Sequence, residues 1–306
     1  MLQDKTTITD STSFVLASRV KDYFQLIKFT LSFMVVFSTV VCYLIATDYR
    51  NFLDVLLLFI AGMLITGSAN TINQVAEKDT DALMKRTASR PVASGRMTSA
   101  HATGFALITG ALGLLIMLFN FNWQSSLIGL VSLFIYGFIY TPLKKVNSVA
   151  VLVGGIPGAL PCLIGWVAAF YQAPINWTGG WILFAIQFIW QFPHFWAIAW
   201  VAHQDYSKAG FKLLPSEKGP TKFTAIQTIM YSTLMLPIGV LPYFYNISGM
   251  VSMWILLFCN LAMIALSIRL YIKMDIPSAR RVMFGSYFYL AIVFIALLAD
   301  KTYIAG

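Results

Sequence analysis

The strongest chemical signal in the sequence is a polar segment, residues 70–91, at the end of an apolar stretch. Within it Asn73, Glu77 and Asp81 follow at intervals of four residues, so on a continuous α-helix their side chains share one face. Two neighbouring carboxylates repel unless a cation lies between them, and hard oxygen ligands suit Mg²⁺, which proteins commonly share with substrate phosphates. The spacing therefore predicts a magnesium site.

Basic residues follow these oxygen ligands directly. Lys85, Arg86 and Arg90 can hold phosphate oxygens that a metal does not cover. Alternatively, this polar segment is only the water-exposed end of a membrane helix, followed by the basic residues that are usual in cytoplasmic loops. Asn73 argues against it, because an amide inside an apolar span needs a partner or a function. We also expect the Glu77 end of the helix to lie near water.

A second polar segment covers residues 190–210. His194 and Asp205 are eleven residues apart, close to three turns, and share a face if the helix is continuous. Considered alone, His194 is better explained as a hydrogen-bonded bundle histidine and His203 as an interfacial residue than as ligands. A group of aromatic residues forms either ordinary packing or a chamber whose ring faces stabilise a carbocation: Trp190, Phe195, Trp196 and Trp200.

Two further motifs lie between these segments. Tyr140 and Thr141 end an apolar stretch, and Lys144 and Lys145 follow. The lysines are either ordinary cytoplasmic charges or contacts in the same pocket. A run of glycine and proline over residues 154–161 predicts either close helix packing or a broken helix that lines a cavity.

The composition shows what kind of elements must position these residues. Of 306 residues, 58% are hydrophobic and only 11% are charged, and the mean hydropathy is +0.75. A soluble enzyme and a single anchored span are excluded, and so is a β-barrel, whose strands would alternate apolar and polar residues. We expect an all-α polytopic bundle of about nine transmembrane helices around an intramembrane cavity. The predicted spans are about 31–47, 52–76, 101–121, 124–141, 149–170, 180–202, 224–245, 250–273 and 281–299.

The basic residues are distributed unevenly between the two sides of this bundle. Nineteen lie on the side of the N-terminus and both polar segments, whereas only Arg50 and Lys301 lie on the other. By the positive-inside rule the N-terminus is cytoplasmic and the C-terminus external. The asymmetry accounts for the net charge of +9 without nucleic acid. We predict a cytosolic tail and amphipathic lead-in over residues 1–30 and one transmembrane domain over 31–306.

The spacing of the two polar loops, four spans apart, hints at a duplicated four-helix unit. The three cysteines have no metal-ligand spacing and are predicted to be small core residues. They are Cys42, Cys162 and Cys259.

Together the motifs resemble those of the UbiA-type intramembrane prenyltransferases, in the form typical of the subfamily that farnesylates heme. The resemblance rests on Asn73-x3-Glu77-x3-Asp81 with Arg86-Thr87-x2-Arg90-Pro91, on Tyr140-Thr141-x-Leu143-Lys144, on Gly154 to Trp166, and on Pro193-His194-Phe195-Trp196-Ala197 with Asp205-Tyr206. It implies Mg²⁺ as cofactor, farnesyl diphosphate as donor and heme B as acceptor. It further implies a bacterial cytoplasmic membrane, contact with lipid, and a downstream heme-modifying or oxidase-assembly partner.

The resemblance also assigns roles to individual residues. It implies Asn73, Glu77, Asp81 and Asp205 as catalytic residues and metal ligands. It implies Lys85, Arg86, Arg90, Lys144 and Lys208 as diphosphate contacts. His194, Trp196 and His203 are candidates for contacts with heme or the prenyl chain. Two departures from the family pattern stand out: Asp205 is nearly alone in the second motif, and Lys28-Phe29-Thr30 replaces Lys-Pro-Arg.

Two other kinds of protein remain open. A sibling enzyme that prenylates a quinone precursor or chlorophyllide shares the first motif, but its second motif should contain more aspartates. A transporter would need ionisable residues at mid-membrane. A heme-carrying electron protein would want paired histidines across helices, whereas only His194 lies well inside a span.

Overall fold

The structure, a computed structural model, describes residues 19–48, 51–170, 174–216 and 218–302. Within these ranges the chain is helical, and its only β-pairing is an isolated bridge between Ser248 and Lys301. Nine helices of this described part are long and apolar enough to cross a membrane. They are α1 (Phe29–Ala46), α2 (Phe52–Ala76), α3 (Ser99–Asn120), α4 (Trp123–Leu143), α5 (Ala150–Ala168), α6 (Trp177–Val201), α7 (Lys222–Phe244), α8 (Met250–Lys273) and α9 (Ile276–Ala299).

The predicted all-α class and the nine spans are confirmed, with the largest difference at the start of α9. That helix begins at Ile276 rather than at residue 281, because Asp275 caps it: Asp275 Oδ1 accepts a hydrogen bond from the Ser278 backbone N–H at 2.8 Å. The charges at Arg280 and Arg281 therefore lie inside the helix, in its first two turns, and do not mark its boundary.

The helices pack in two similar sets. In the first set α1 packs on α2, α2 on α3 and α3 on α4; in the second, α5, α6, α7 and α8 pack in the same order. Helices α1 and α5 pack against each other, and α9 closes the ring by contacting α6, α8 and α1. This arrangement agrees with the duplicated four-helix unit that the loop spacing suggested.

Close packing, rather than a broken helix, explains the glycines and prolines of α5. The helix is continuous from Ala150 to Ala168 although it contains two prolines. A Cβ atom on Gly165 would lie 1.9 Å from the Thr39 carbonyl oxygen of α1, and one on Gly154 would lie 2.7 Å from the Tyr140 ring. The glycines therefore allow the backbone of α5 to approach its neighbours closely.

Each of the two polar segments contains a bend that was not predicted from the sequence. Helix α2 ends before Glu77, whose φ and ψ are −107° and 12°, and a short helix follows over Lys78–Ala82. Helix α6 ends before Ala202, whose φ and ψ are −94° and 12°, and a short helix follows over His203–Lys208. The assumption of continuous helices through both segments was wrong, because residues beyond each bend pack against each other: Met84 is buried with Ala209 and Phe211.

The remaining features of the described chain agree with the sequence. A helical segment over 19–26 precedes α1, and the predicted division into a tail with its lead-in and one transmembrane domain stays a prediction. Residues 1–18 of the predicted tail lie outside the described residues, as does Arg50. The three cysteines are buried and unpaired, as predicted for small core residues.

Candidate functional site

Three predicted metal ligands lie together at the bend after α2, and each is paired with a cation. Their side chains are almost completely enclosed: Asn73 and Asp81 are 1% exposed and Glu77 is 3% exposed. The pairs are Lys28 Nζ with Asn73 Oδ1 at 3.0 Å, Arg90 Nη1 with Asp81 Oδ2 at 2.6 Å, and Lys144 with Glu77. The cluster thus contains three cations, two carboxylates and one amide.

The expectation that the Glu77 end of the helix lies near water was wrong, because Glu77 is buried. Residues from the following loops cover it: Lys144 pairs with it directly, and the Lys144 ammonium lies 4.8 Å from the centre of the Phe211 ring. Because water is excluded, the carboxylate keeps its charge only with a cationic partner. The pairing with Lys144 supplies that partner.

Lys28 reaches the cluster through a strained turn. Its φ and ψ are 48° and 57°, the left-handed region that costs a side-chain-bearing residue about 1–2 kcal/mol. Amide side chains of α2 hold the preceding backbone: Gln74 Nε2 donates to the carbonyls of Gln25 at 2.9 Å and Leu26 at 2.8 Å, and Asn70 Nδ2 donates to that of Ile27 at 3.3 Å. In the sequence Lys28 stood out only as part of the departure from the Lys-Pro-Arg pattern, and its contact with Asn73 was not predicted.

Lys144 is positioned by an irregular stretch of α4. A π-helix covers Ile135–Tyr140, and π turns inside α-helices are frequent at functional sites. Just beyond it, the Thr141 hydroxyl accepts a hydrogen bond from Asn73 Nδ2 at 3.3 Å and donates to the Tyr136 carbonyl at 2.8 Å. Thr141 therefore joins α4 to the same amide that Lys28 contacts.

The electrostatics of the cluster favour an anion. Burial lowers the pKa of Lys28 well below its usual value, and repulsion from Arg90 and Lys144 adds to this effect; Glu77 and Asp81 oppose it. Burial also lowers the pKa of Lys144, again opposed by attraction to Glu77. An additional anion such as diphosphate offsets this cost of burial and favours the charged form of both lysines.

The oxygen donors fit a hard divalent cation. Asp81 Oδ1 is enclosed and has no hydrogen-bond partner among the described residues, although its other oxygen pairs with Arg90. The donor set of two carboxylates and one amide is the chemistry that Mg²⁺ accepts. The described chain contains no group of three or more His, Cys, Asp or Glu side chains that could hold a metal, so Asp205 is not brought together with Glu77 and Asp81.

The other predicted diphosphate contacts lie on the two loops outside this cluster. Arg86 Nη2 lies 3.5 Å from the Tyr206 hydroxyl, with its guanidinium 5.9 Å from the centre of that ring. Lys85 and Lys208 are exposed, and no ion pair with a described residue is found for either. Asp205 is half-buried and likewise has no ion pair in the described part of the chain. Roles for Lys85, Lys208 and Asp205 stay predictions.

The aromatic residues of α6 mainly form packing. Trp196 is buried against Phe192 and Tyr231, with ring centres 5.6 and 5.1 Å away. Trp200 is buried in the largest hydrophobic cluster. The packing interpretation therefore accounts for both rings, and a role for Trp196 in a prenyl chamber stays a prediction.

The two candidate histidines lie in different surroundings. His194 is 8% exposed, and its Nδ1 lies 2.7 Å from the Ser286 hydroxyl of α9. His203 lies beyond the bend, with Nδ1 3.5 Å from the Ser207 hydroxyl, beside a cavity of about 150 Å³. That cavity is smaller than the roughly 300–1,000 Å³ of usual ligand pockets.

Comparison with known proteins identifies the family. Residues 35–297 match the UbiA prenyltransferase family, and the chain belongs to this family. It is 44% identical over 293 residues to a protoheme IX farnesyltransferase from Cytophaga hutchinsonii, an alignment that covers 94% of this chain and 100% of that relative. It is 39% identical to a protoheme IX farnesyltransferase from Christiangramia forsetii, with 93% of this chain and 95% of that relative covered.

Solved structures share the fold at lower sequence identity. A digeranylgeranylglyceryl phosphate synthase superimposes with a TM-score of 0.77 at 21% identity, covering 92% of this chain and 98% of that one. A UbiA homolog from Archaeoglobus fulgidus bound to GPP and Mg²⁺ superimposes with a TM-score of 0.66 at 16% identity, covering 90% and 99%. The chain is thus a multi-pass membrane protein with the UbiA fold.

Proposed function

We propose that this chain transfers a farnesyl group from farnesyl diphosphate to a vinyl group of heme B, giving heme O and diphosphate. The observation that carries the proposal is the buried cluster of three cations around Asn73, Glu77 and Asp81. The choice of donor and acceptor is supported by the named relatives, which are up to 44% identical over nearly the whole chain.

The cations of the cluster act on the leaving group. As the allylic C–O bond breaks, the diphosphate keeps the bonding electrons, and Lys28, Arg90 and Lys144 stabilise the negative charge that develops. Preorganised charges are most effective in a buried site, because they need no rearrangement during the reaction. Mg²⁺, when held by the oxygens of Asn73, Glu77 and Asp81, supplies further positive charge to the diphosphate.

Because of these ion pairs, the binding of farnesyl diphosphate and the binding of the metal depend on each other. Asn73, Glu77 and Asp81 are each already paired with one cation, so a metal without diphosphate has to compete with Lys28, Arg90 or Lys144. A diphosphate gives these cations a new partner and frees the ligand oxygens. We therefore expect the metal and the diphosphate to bind together more tightly than either alone.

Forming the carbon–carbon bond requires a site that keeps water away from C1 of the farnesyl group until the vinyl group has attacked it. The π electrons of a heme vinyl group attack C1 of the farnesyl group, which leaves a carbocation on the carbon next to the porphyrin. A water molecule adds to that carbon and loses a proton, giving the hydroxyethylfarnesyl side chain. Water that reaches C1 first gives farnesol instead, so the apolar spans serve to exclude it.

The orientation of the protein follows from its charges. We propose that the N-terminus and the cluster face the cytoplasm of a bacterium and that the C-terminus is external, because eighteen of the described basic residues lie on the cluster side and Lys301 lies on the other. A downstream heme-modifying or oxidase-assembly protein would then receive the product. Residues 31–306 form the single catalytic domain in this proposal.

Heme extraction from cells tests the proposal. Membranes from otherwise identical cells, with and without the chain, are extracted and the heme masses compared. We expect a heme heavier than heme B by one farnesyl group and one hydroxyl group only where the chain is present, and a sharp loss of this heme in Glu77→Gln. If a quinone precursor is prenylated and heme is unchanged, the sibling function is correct and the proposal fails.

A further inference from the structure

We propose that His194 binds the iron of the heme acceptor through Nε2, and that Ser286 is a positioning residue that keeps the proton of the neutral ring on Nδ1. The proposal rests on the proposed function, because it concerns the acceptor of that reaction. It assigns the acceptor site to the interface of α6 and α9.

The hydrogen-bond chain at Ser286 determines the tautomer of His194. The Ser286 hydroxyl lies 2.6 Å from the Met283 carbonyl, which can only accept, so the hydroxyl donates its single hydrogen there. Toward His194 Nδ1, at 2.7 Å, the same oxygen must then accept. Nδ1 therefore carries the proton, and the lone pair of the neutral imidazole is on Nε2.

Nε2 is available for a ligand. It makes no hydrogen bond with any residue of the described chain. It is also not fully enclosed by the protein, so a ligand atom can approach it. Metal-binding histidines typically show this arrangement, in which one nitrogen donates to a protein oxygen and the other binds the metal. A neutral imidazole nitrogen is also a common axial ligand of heme iron.

Aromatic neighbours hold the imidazole ring in one orientation. Trp190 stacks on it with ring centres 4.7 Å apart and planes at 17°, and the Tyr287 ring meets it at 5.0 Å and 73°. The Trp190 indole is itself fixed, because its Nε1 donates to the Ser286 carbonyl at 2.9 Å. The same residue of α9 thus positions both rings.

His194 lies near the end of α6 that leads into the loop with Tyr206. It precedes the end of α6 at Val201 by seven residues, about 10 Å along a helix. Tyr287, which touches His194, is close enough to Tyr206 to contribute to its raised pKa, a shift caused mainly by burial, and the Tyr206 hydroxyl contacts Arg86. A heme bound at Nε2 would therefore lie on the side of α6 that leads to the diphosphate loops.

The other two histidines of the chain are poorer candidates. His101 Nε2 is engaged by the Tyr23 hydroxyl at 2.7 Å, at an exposed position. His203 lies outside α6, beyond the bend, next to the small cavity of about 150 Å³. Since the chain has only three histidines, single substitutions test every possible histidine ligand.

The first experiment uses the whole purified protein in detergent with ferric heme B. After reduction, resonance Raman spectroscopy should show an iron–histidine stretching band. We expect His194→Gly to lose the band and added imidazole to restore it, because imidazole fills the vacated space. His101→Gly is the matched control and should keep the band.

The second variant tests the role of Ser286. Ser286→Ala should keep the iron–histidine band but shift it to lower frequency, because Nδ1 loses its acceptor and Nε2 becomes a weaker donor to iron. The dissociation constant for ferric heme B should rise about tenfold, as is typical when the partner of a ligand histidine is removed. A thermal unfolding midpoint for each variant identifies those that fail to fold.

Several results would overturn the proposal. If folded His194→Gly keeps the band without imidazole, or if the wild type makes heme O yet shows no iron–histidine band, His194 is not the ligand and the proposed function stands. If the wild type neither binds ferric heme B nor farnesylates it, both this proposal and the proposed function fail.

Discussion

Charge balance within the buried cluster determines how the donor can bind. Two enclosed carboxylates are stable only when paired, and each has its own cation. The sequence predicted the ligands Asn73, Glu77 and Asp81 from their spacing. It could not show that Lys28 completes the set, because that contact depends on a left-handed turn held by amides from another helix.

The adjacent lysines after α4 provide a matched test of the cluster. Lys144 is buried and paired with Glu77, whereas Lys145 is exposed. Lys144→Met should lower turnover of farnesyl diphosphate about 100-fold or more, the scale seen when one preorganised charge-stabilising contact is removed. Lys145→Met should change it less than about twofold. The measurement is diphosphate release by equal amounts of folded protein, and equal losses would refute the assignment of Lys144.

The two aspartates differ in a similar way. Asp81 is enclosed and paired with Arg90, whereas Asp205 is half-buried and has no ion pair among described residues. We expect Asp81→Asn to lower activity more than Asp205→Asn at matched protein levels. The ranking is checked by heme O yield and is contradicted by an equal or larger loss at Asp205.

At the scale of elements, apolar length predicted the helices but not their bends. All nine spans could be located because each is a run of apolar residues long enough to cross a bilayer. The bends at Glu77 and Ala202 were missed because they depend on contacts between distant loops, such as Met84 with Phe211. Likewise, the glycine run of α5 left two interpretations open until its neighbours were known.

The contact between α1 and α5 can be tested with paired glycine substitutions. Gly165→Ala places a methyl group 1.9 Å from the Thr39 carbonyl oxygen, so the helices must separate, at a cost of about 1–3 kcal/mol. Gly104→Ala on α3 meets nothing within 4 Å and should leave stability unchanged or raise it by up to about 1 kcal/mol. Thermal unfolding in detergent measures both. An unchanged midpoint for Gly165→Ala would argue against this helix contact.

At the scale of the whole molecule, the charges indicate how the bundle sits in the membrane. The ring of helices has the cationic cluster and both loop segments at one end, and Lys301 pairs with Asp48 at 2.8 Å at the other. The sequence predicted that the basic residues concentrate at one end, because this distribution depends only on where the apolar spans lie; that this end faces the cytoplasm stays a prediction. That α9 closes the ring of helices was not predicted from the sequence and became clear only from the structure.

Reporter fusions test the orientation. Reporters after Asn122, Asn176 and Asn246 should be external, and reporters in the loops at residues 85–96 and 207–222 should be cytoplasmic, because the basic residues concentrate in those loops. Periplasmic and cytoplasmic reporter enzymes are compared at matched expression. An external reading for either loop would contradict a shared cytoplasmic site.

The most direct test of the account is turnover by the purified protein in detergent with Mg²⁺, farnesyl diphosphate and heme B. We predict that diphosphate is released in step with a heme whose mass has increased by one farnesyl group and one hydroxyl group, that EDTA stops both, and that excess Mg²⁺ restores both. Consumption of no farnesyl diphosphate by folded protein, or undiminished heme O formation in EDTA, would contradict it.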